Sequence, residues 1–311
     1  MDKIKLLYIA GCGRSGSTLL ERVLGEIRGV FPVGELCHIW ERGFLENQLC
    51  GCGNSFNSCN FWTQVTKKVF GQATELDICN VLSLRRRVQR MRYIPYLLFP
   101  KLRSDKFNAI LDEYLDILGA LYNGIADISS STIIVDSSKI PLYAFVLANL
   151  KNVELYVIHL VRHSCAVAYS WKKKKVRPEI TDRVVYMPRY SLFKTVREWN
   201  KINSLFLMAK DKFYRYYFLR YEDFVRHPSE MLKDIFSSFN LKIDEDFVSK
   251  IFQNNRICLH KNHTVSGNPI RFLTGEIEIF YDDSWQKLMS FKEKLFVRIL
   301  TFPLLLKFGY W

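Results

Sequence analysis

The chain has 311 residues, 49% of them apolar and 24% charged, which excludes a disordered, collagenous or repeat-dominated protein and leaves one large globular domain or two small ones. Forty-five Lys and Arg against 31 Asp and Glu leave a formal charge of +14, a field that gathers anionic ligands, nucleic acid or an acidic membrane surface without choosing among them. Eight cysteines are too sparse for a disulfide scaffold, so a reducing, cytoplasm-like compartment is expected. No run reaches the roughly 18 consecutive apolar residues of a membrane-spanning helix.

In chain order, IKLLYIA at 4–10 reads as a buried parallel strand. It is short and runs straight into a glycine-rich polar turn, so a lipoprotein leader ending at Cys12 is not expected. After GCGRSGST, the residues Leu19, Leu20, Val23, Leu24 and Ile27 recur at helical spacing and predict a helix with one buried face. Residues 36–125 break the pattern: cysteine-rich at first, then basic through RRRVQRMRYIPYLLFPKLR, then a helix over about 104–124. Three further strands are predicted at 132–136, 155–161 and 216–221, each followed by a helical segment. Alternating strands and helices imply an α/β fold with a P-loop-like parallel sheet flanked by helices on both faces. With no repeat or linker, residues 1–311 are read as one domain, in which the helical and irregular insertion 36–125 covers an acceptor site.

Ligands in such sheets sit beyond the C-terminal ends of the strands. The turn Gly11-Cys12-Gly13-Arg14-Ser15-Gly16-Ser17-Thr18 lies between the first strand and the first helix. Its glycines let successive N–H groups face one concavity at a helix N-terminus, which makes an anion site. The spacing is that of G-x-x-x-x-G-K-[ST], with Ser17 where a nucleoside-triphosphate enzyme has its lysine. That departure argues against ATP or GTP hydrolysis. Arg14 supplies a forked donor suited to a doubly anionic group instead.

The sequence resembles the sulfotransferase family, enzymes that use 3′-phosphoadenosine 5′-phosphosulfate (PAPS). GCGRSGSTLL at 11–20 is similar to the family's 5′-phosphosulfate loop, and VIHLVRHSCAVAYSW at 157–171 to its 3′-phosphate motif, in which Arg162 ends a strand and Ser170 follows eight residues later. LRYEDF at 219–224 resembles a third element whose tyrosine, here Tyr221, contacts the adenine region. The resemblance implies donor contacts from Gly13, Arg14, Ser15, Gly16, Ser17, Thr18, Arg162, Ser170 and Tyr221. It implies further contacts from Ser266 and Arg271 in the glycine-containing loop HKNHTVSGNPIRF at 260–272.

Sulfuryl transfer needs stabilisation of the leaving phosphate, alignment of the acceptor and removal of its proton. By resemblance, Arg14 and Lys139 serve the bridging oxygen and Glu35, in FPVGELCHIW, is the base. His38 is its rival, because the cytosolic branch of the family uses a histidine. No metal is required, since arginine and lysine already neutralise the donor. The acceptor is a hydroxyl, and the charge favours an anionic or membrane-associated one, such as an acidic saccharide or a glycolipid.

Several features stay open. Cys50, Cys52 and Cys59, with Cys37 or His38 as a fourth group, allow free thiols, a disulfide or a zinc site, and their spacing departs from paired C-x-x-C knuckles. In the run Lys172 to Lys175, Lys174 is placed to reach a nucleotide. The apolar tail FVRILTFPLLLKFGYW permits a peripheral membrane contact, but Pro303 argues against one long amphipathic helix and core packing explains the tail more simply. Two rival functions remain: a P-loop-type nucleotide kinase, which requires magnesium-dependent ATP binding, and a basic nucleic-acid-binding module. The second leaves the ordered set Arg14, Lys139, Arg162 and Ser170 without a purpose.

Overall fold

The computed structural model describes residues 3–71, 74–180, 183–253 and 255–310. The main sheet contains β1 (Ile4–Ala10), β2 (Val30–Gly34), β3 (Ile133–Lys139), β4 (Val153–Val161) and β5 (Arg215–Arg220), all parallel, in the order β2-β3-β1-β4-β5. A smaller antiparallel sheet joins β6 (Phe252–Gln253), β7 (Arg256–Leu259) and β8 (Gly275–Glu278). The helices are α1 (Ser17–Leu24), α2 (Asn60–Phe70), α3 (Glu75–Val88), α4 (Ile94–Leu98), α5 (Asp105–Ser129), α6 (Pro141–Leu147), α7 (Ser164–Lys172), α8 (Leu192–Met208), α9 (Tyr221–Arg226), α10 (Pro228–Ser238), α11 (Glu245–Ile251), α12 (Ser284–Leu288) and α13 (Phe291–Lys307).

The apolar runs are continuous because both faces of the sheet are covered. In β1, Leu6, Tyr8 and Ala10 enter the core beneath α2, α3, α5 and α6, whereas Leu7 and Ile9 enter the core beneath α1, α10 and α11. Strand β4 alternates likewise: Leu155 and Val157 face the first layer, Tyr156, Ile158 and Leu160 the second. The four strands expected from the sequence are all in this sheet. The fifth, β2, has only five residues and carries Pro32, which a strand tolerates at the sheet edge that β2 occupies.

The insertion begins irregularly, with short 3₁₀ and π turns over 36–45, and becomes helical from α2. Its last helix, expected over about 104–124, runs Asp105–Ser129, and the Ser104 side chain accepts a hydrogen bond from the Phe107 N–H at its start. The tail differs from expectation. It is one helix, α13, and it continues through Pro303. Proline removes one helical N–H, the one that would reach the Ile299 carbonyl, and crowds the preceding turn; the neighbouring Leu300 carbonyl accepts a hydrogen bond from Asn200 Nδ2 at 2.8 Å. Nor is the tail wholly core. Val297, Thr301 and Leu305 are buried, whereas Phe291, Ile299 and Phe302 are exposed. Trp311 lies outside the described residues. No helix among the described residues is long and apolar enough to cross a membrane.

Candidate active site

The C-terminal end of every strand in the main sheet delivers a polar group to one cavity of about 500 Å³. After β1 come Gly13, Arg14, Gly16, Ser17 and Thr18; after β2, Glu35; at the end of β3, Lys139; after β4, Arg162; after β5, Tyr221. Ser170 reaches the same wall from α7, and Gly267 and Asn268 reach it from the C-terminal loop. Parallel topology explains the convergence, because all five strands end on the same edge.

The turn after β1 is built for close approach. Gly16 precedes α1 with φ +93°, a left-handed conformation, and a Cβ there would lie 2.3 Å from the Tyr221 ring. Arg14 is also left-handed, at φ 73°. Its guanidinium lies over the Trp171 ring, 4.8 Å from the centroid, and its Nε, Nη1 and Nη2 are buried without a hydrogen-bond partner. Burial lowers its pKa from the ordinary arginine value. Retaining an unpaired buried cation is unfavourable, so the arrangement suits an anion that supplies the missing acceptors. Arg162 lies over the Tyr221 ring at 4.6 Å. Its Nη1 and Nη2 donate to the carbonyls of Arg14 and Asp282 at 3.4 Å, and its Nε has no partner.

At the other end of the cavity, Lys139 Nζ donates to Glu35 Oε1 at 2.6 Å and to the Ser137 carbonyl at 2.7 Å. His38 Nε2 lies 3.7 Å from Glu35 Oε2. Lys139 is left-handed at φ 65°, so two long cationic side chains at this edge hold a backbone conformation that L-residues disfavour. Such strain clusters at functional sites. Burial by itself would raise the Glu35 pKa, but the Lys139 ammonium, His38 and Arg42 outweigh it and hold the carboxyl at about 2. Burial, with Arg42, lowers His38 to about 4. At neutral pH Glu35 is therefore an anion and His38 a neutral imidazole.

A second cavity of about 330 Å³ shares Gly13, Glu35, His38 and Lys139 with the first. Beyond that junction it is lined by Met91, Ile140, Leu142, Ile202 and Leu205, with Glu198 and Lys201 as its charged groups. The two chambers therefore meet at the carboxylate and the ammonium.

Some candidates stand elsewhere. Ser15, Ser266 and Arg271 are not on the cavity wall among the described residues. Arg271 is buried and donates to the carbonyls of Thr264 and Leu49 at 2.6 and 2.7 Å, while Ser266 Oγ accepts from Arg42 Nη1. The loop reaches the cavity through Gly267 and Asn268 instead. Lys175 lines the cavity, whereas Lys174 sits over the Tyr186 ring at 3.9 Å. Neither Cys37 nor His38 joins Cys50, Cys52 and Cys59; the fourth group beside them is His263. Arg42, Trp171 and Lys175 line the site without having been singled out. Trp171 follows Ser170 directly and was findable from that neighbour, but nothing in the sequence around Arg42 marks it.

No curated protein matches the chain. Among solved structures, it is similar to the sulfotransferase domain from the curacin biosynthetic pathway (16% identity over 96% of this chain and 98% of that one, TM-score 0.48). It is also similar to the sulfotransferase domain of the Synechococcus PCC 7002 olefin synthase (18% identity, 95% and 94% covered, TM-score 0.48), and to a sulfotransferase from Mycobacterium avium (11%, 80% and 68% covered, TM-score 0.44). The sequence model described as "Sulfotransferase family" matches residues 7–245. This α/β enzyme thus belongs to the sulfotransferase family and catalyses sulfuryl transfer.

Proposed function

We propose that the donor is PAPS, that Glu35 is the base, and that the acceptor is a hydroxyl carried on an apolar or amphiphilic body. The observation that carries the donor assignment is the Arg14 guanidinium, whose three nitrogens are buried beside the glycine turn with no acceptor. PAPS bound there supplies a sulfuryl group joined to phosphate through a mixed anhydride. Arg14, the first N–H groups of α1, Ser17 and Thr18 would hold the 5′ end. Arg162 and Ser170 would hold the 3′-phosphate, and the backbone at Gly267 and Asn268 would close over the ligand. Lys139 Nζ, already part of an ion pair with Glu35, would neutralise charge on the bridging oxygen.

Glu35 is ionised and can accept a proton, but a carboxylate at about 2 is a weak base against a hydroxyl comparable with water at about 15.7. It therefore takes the proton late, once the acceptor oxygen is bonding to sulfur and has become acidic. Glu35 Oε2, which is not the oxygen engaged by Lys139, is the atom available for it. The apolar wall of the second cavity supports a glycolipid-like alcohol over an acidic saccharide. It also supports a small ligand over nucleic acid, since the cations converge on a concave chamber. Metal is dispensable to this chemistry, because the charges that neutralise the donor come from side chains.

Thermal-shift titration tests the donor. Stabilisation by 3′,5′-bisphosphoadenosine without metal, and little by ATP with magnesium, is expected. The reverse order would favour the nucleotide-kinase reading and sink this one.

A further inference from the structure

We propose that Cys50, Cys52, Cys59 and His263 bind one structural zinc ion that ties the start of the insertion to the loop closing over the active site. The four ligand atoms all lie within 4.8 Å of one another. Cys59 Sγ is 3.2 Å and Cys50 Sγ 3.9 Å from His263 Nδ1, and Cys52 Sγ is 3.7 Å from Cys59 Sγ. Tetrahedral zinc with Zn–S bonds of about 2.3 Å and Zn–N bonds of about 2.0–2.1 Å separates its ligands by about 3.5–3.8 Å. The three separations lie close to that shell and no pair exceeds 4.8 Å, so small side-chain shifts complete it.

The chemistry of the set agrees with its size. Three thiols and one imidazole form a soft donor set suited to tetrahedral zinc, whereas calcium and magnesium prefer oxygen. The backbone presents Cys50 and Cys52 in one turn: Gly53 N–H donates to the Cys50 carbonyl at 2.9 Å, and Cys50 N–H to the Asn54 carbonyl at 2.8 Å. Cys59 stands at the N-cap of α2, an 11-residue helix, where the helix dipole favours a thiolate. The imidazole is held from the other side. Its ring stacks on Phe61 at 5.1 Å between centroids, and its own carbonyl accepts from Trp62 Nε1 at 2.8 Å.

His263 is 204 residues from Cys59, so this cluster joins parts of the chain that are remote in sequence. The loop it anchors donates from the Asn268 N–H to Thr18 Oγ1 at 3.2 Å and lines the active-site cavity with Gly267 and Asn268. None of the four ligands lines that cavity. The ion is therefore a strut and takes no part in sulfuryl transfer.

The test is metal analysis of the full chain, expressed with ample zinc and purified without chelator. About one zinc per chain is expected. Cys59→Ser and His263→Ala should lose the metal at least tenfold and lower Tm, while His263→Cys and Cys79→Ser, the latter at an exposed thiol outside the cluster, should keep it. Cobalt substitution of the wild-type chain should give the visible thiolate-to-metal bands of a tetrahedral site, a readout that does not depend on any variant folding. Wild-type protein below about a tenth of an equivalent of metal, and without those bands after cobalt loading, would overturn the proposal. So would full retention of zinc by both Cys59→Ser and His263→Ala.

Discussion

Arg14 keeps a full charge where no hydrogen-bond acceptor reaches it. Its worth should therefore appear only with ligand: Arg14→Met is expected to leave the ligand-free Tm unchanged or raised, yet to weaken 3′,5′-bisphosphoadenosine binding by about 10- to 150-fold, the equivalent of 1.5–3 kcal/mol for a charge-assisted hydrogen bond. A normal titration with the variant would remove Arg14 from the cradle. Glu35 carries the opposite signature. Glu35→Gln should lower kcat by about 10²- to 10⁴-fold with nucleotide affinity nearly unchanged, and His38→Gln by much less. Because Lys139, His38 and Arg42 overcome burial to hold Glu35 at about 2, it stays ionised from about pH 4 upward. No acid limb in kcat/KM should thus come from Glu35 between about pH 5 and pH 8, and a limb there that vanishes in Glu35→Gln would contradict the assignment.

At the scale of elements, the loop over 260–272 is held from several sides. Arg22 in α1 donates to the carbonyls of His260 and Arg271, both at 2.6 Å. Val265 N–H donates to the Val33 carbonyl at 2.9 Å, and Glu35 N–H to the Ser266 carbonyl at 3.2 Å. Gly34 makes this contact with β2 possible: it is left-handed at φ +83°, and a Cβ would fall 2.7 Å from the Ser266 carbonyl oxygen. Arg271 fastens the same loop internally and to Leu49. Arg271→Ala is expected to destabilise the ligand-free chain by about 2–4 kcal/mol, because buried carbonyls lose charged donors. Arg162→Ala should instead weaken nucleotide binding with a smaller change in Tm. Unfolding curves and titrations of the two variants separate a fastening arginine from a binding one, and a fully stable Arg271→Ala would return that residue to the list of direct contacts.

At the scale of the whole molecule, buried carboxyls link stability to pH. Burial raises Glu21 to about 8 against the hydrogen bonds from Ser137 and Gly34, which pull it down. Burial also raises Asp136 to about 6. Between about pH 4.5 and pH 8 the unfolded chain has released the Glu21 proton while the folded chain retains it, so stability falls as pH rises across that window. Glu35 acts in the other direction: its contribution is present above about pH 4.5 and disappears as pH falls toward 2. Glu21→Gln, which mimics the protonated acid, should leave Tm near pH 5 almost unchanged. At pH 9 it should stabilise by on the order of a few kcal/mol. Equal effects at both pH values would show that Glu21 is not the linked group.

The parallel sheet was legible because a strand buried on both faces needs an apolar run, which β1, β3 and β4 have in LLYIA, IIV and LYVI; edge strand β5 shows the run YYFL although only Leu219 in it is buried. Arg14, Lys139 and Arg162 were legible for a related reason: polar residues that end such runs are carried to the same edge. What the one-dimensional pattern could not contain is pairing across long separations. Edge strand β2 is too short and too proline-marked to stand out, and nothing local distinguishes Lys175 from Lys174 or reveals Arg42 beside Ser266. The tertiary structure alone brings His263 to three cysteines, commits Arg271 to backbone carbonyls, and sets Glu35 between Lys139 and His38. Such placements depend on how the loops cross above the sheet, whereas periodicity encodes only which face of an element is buried.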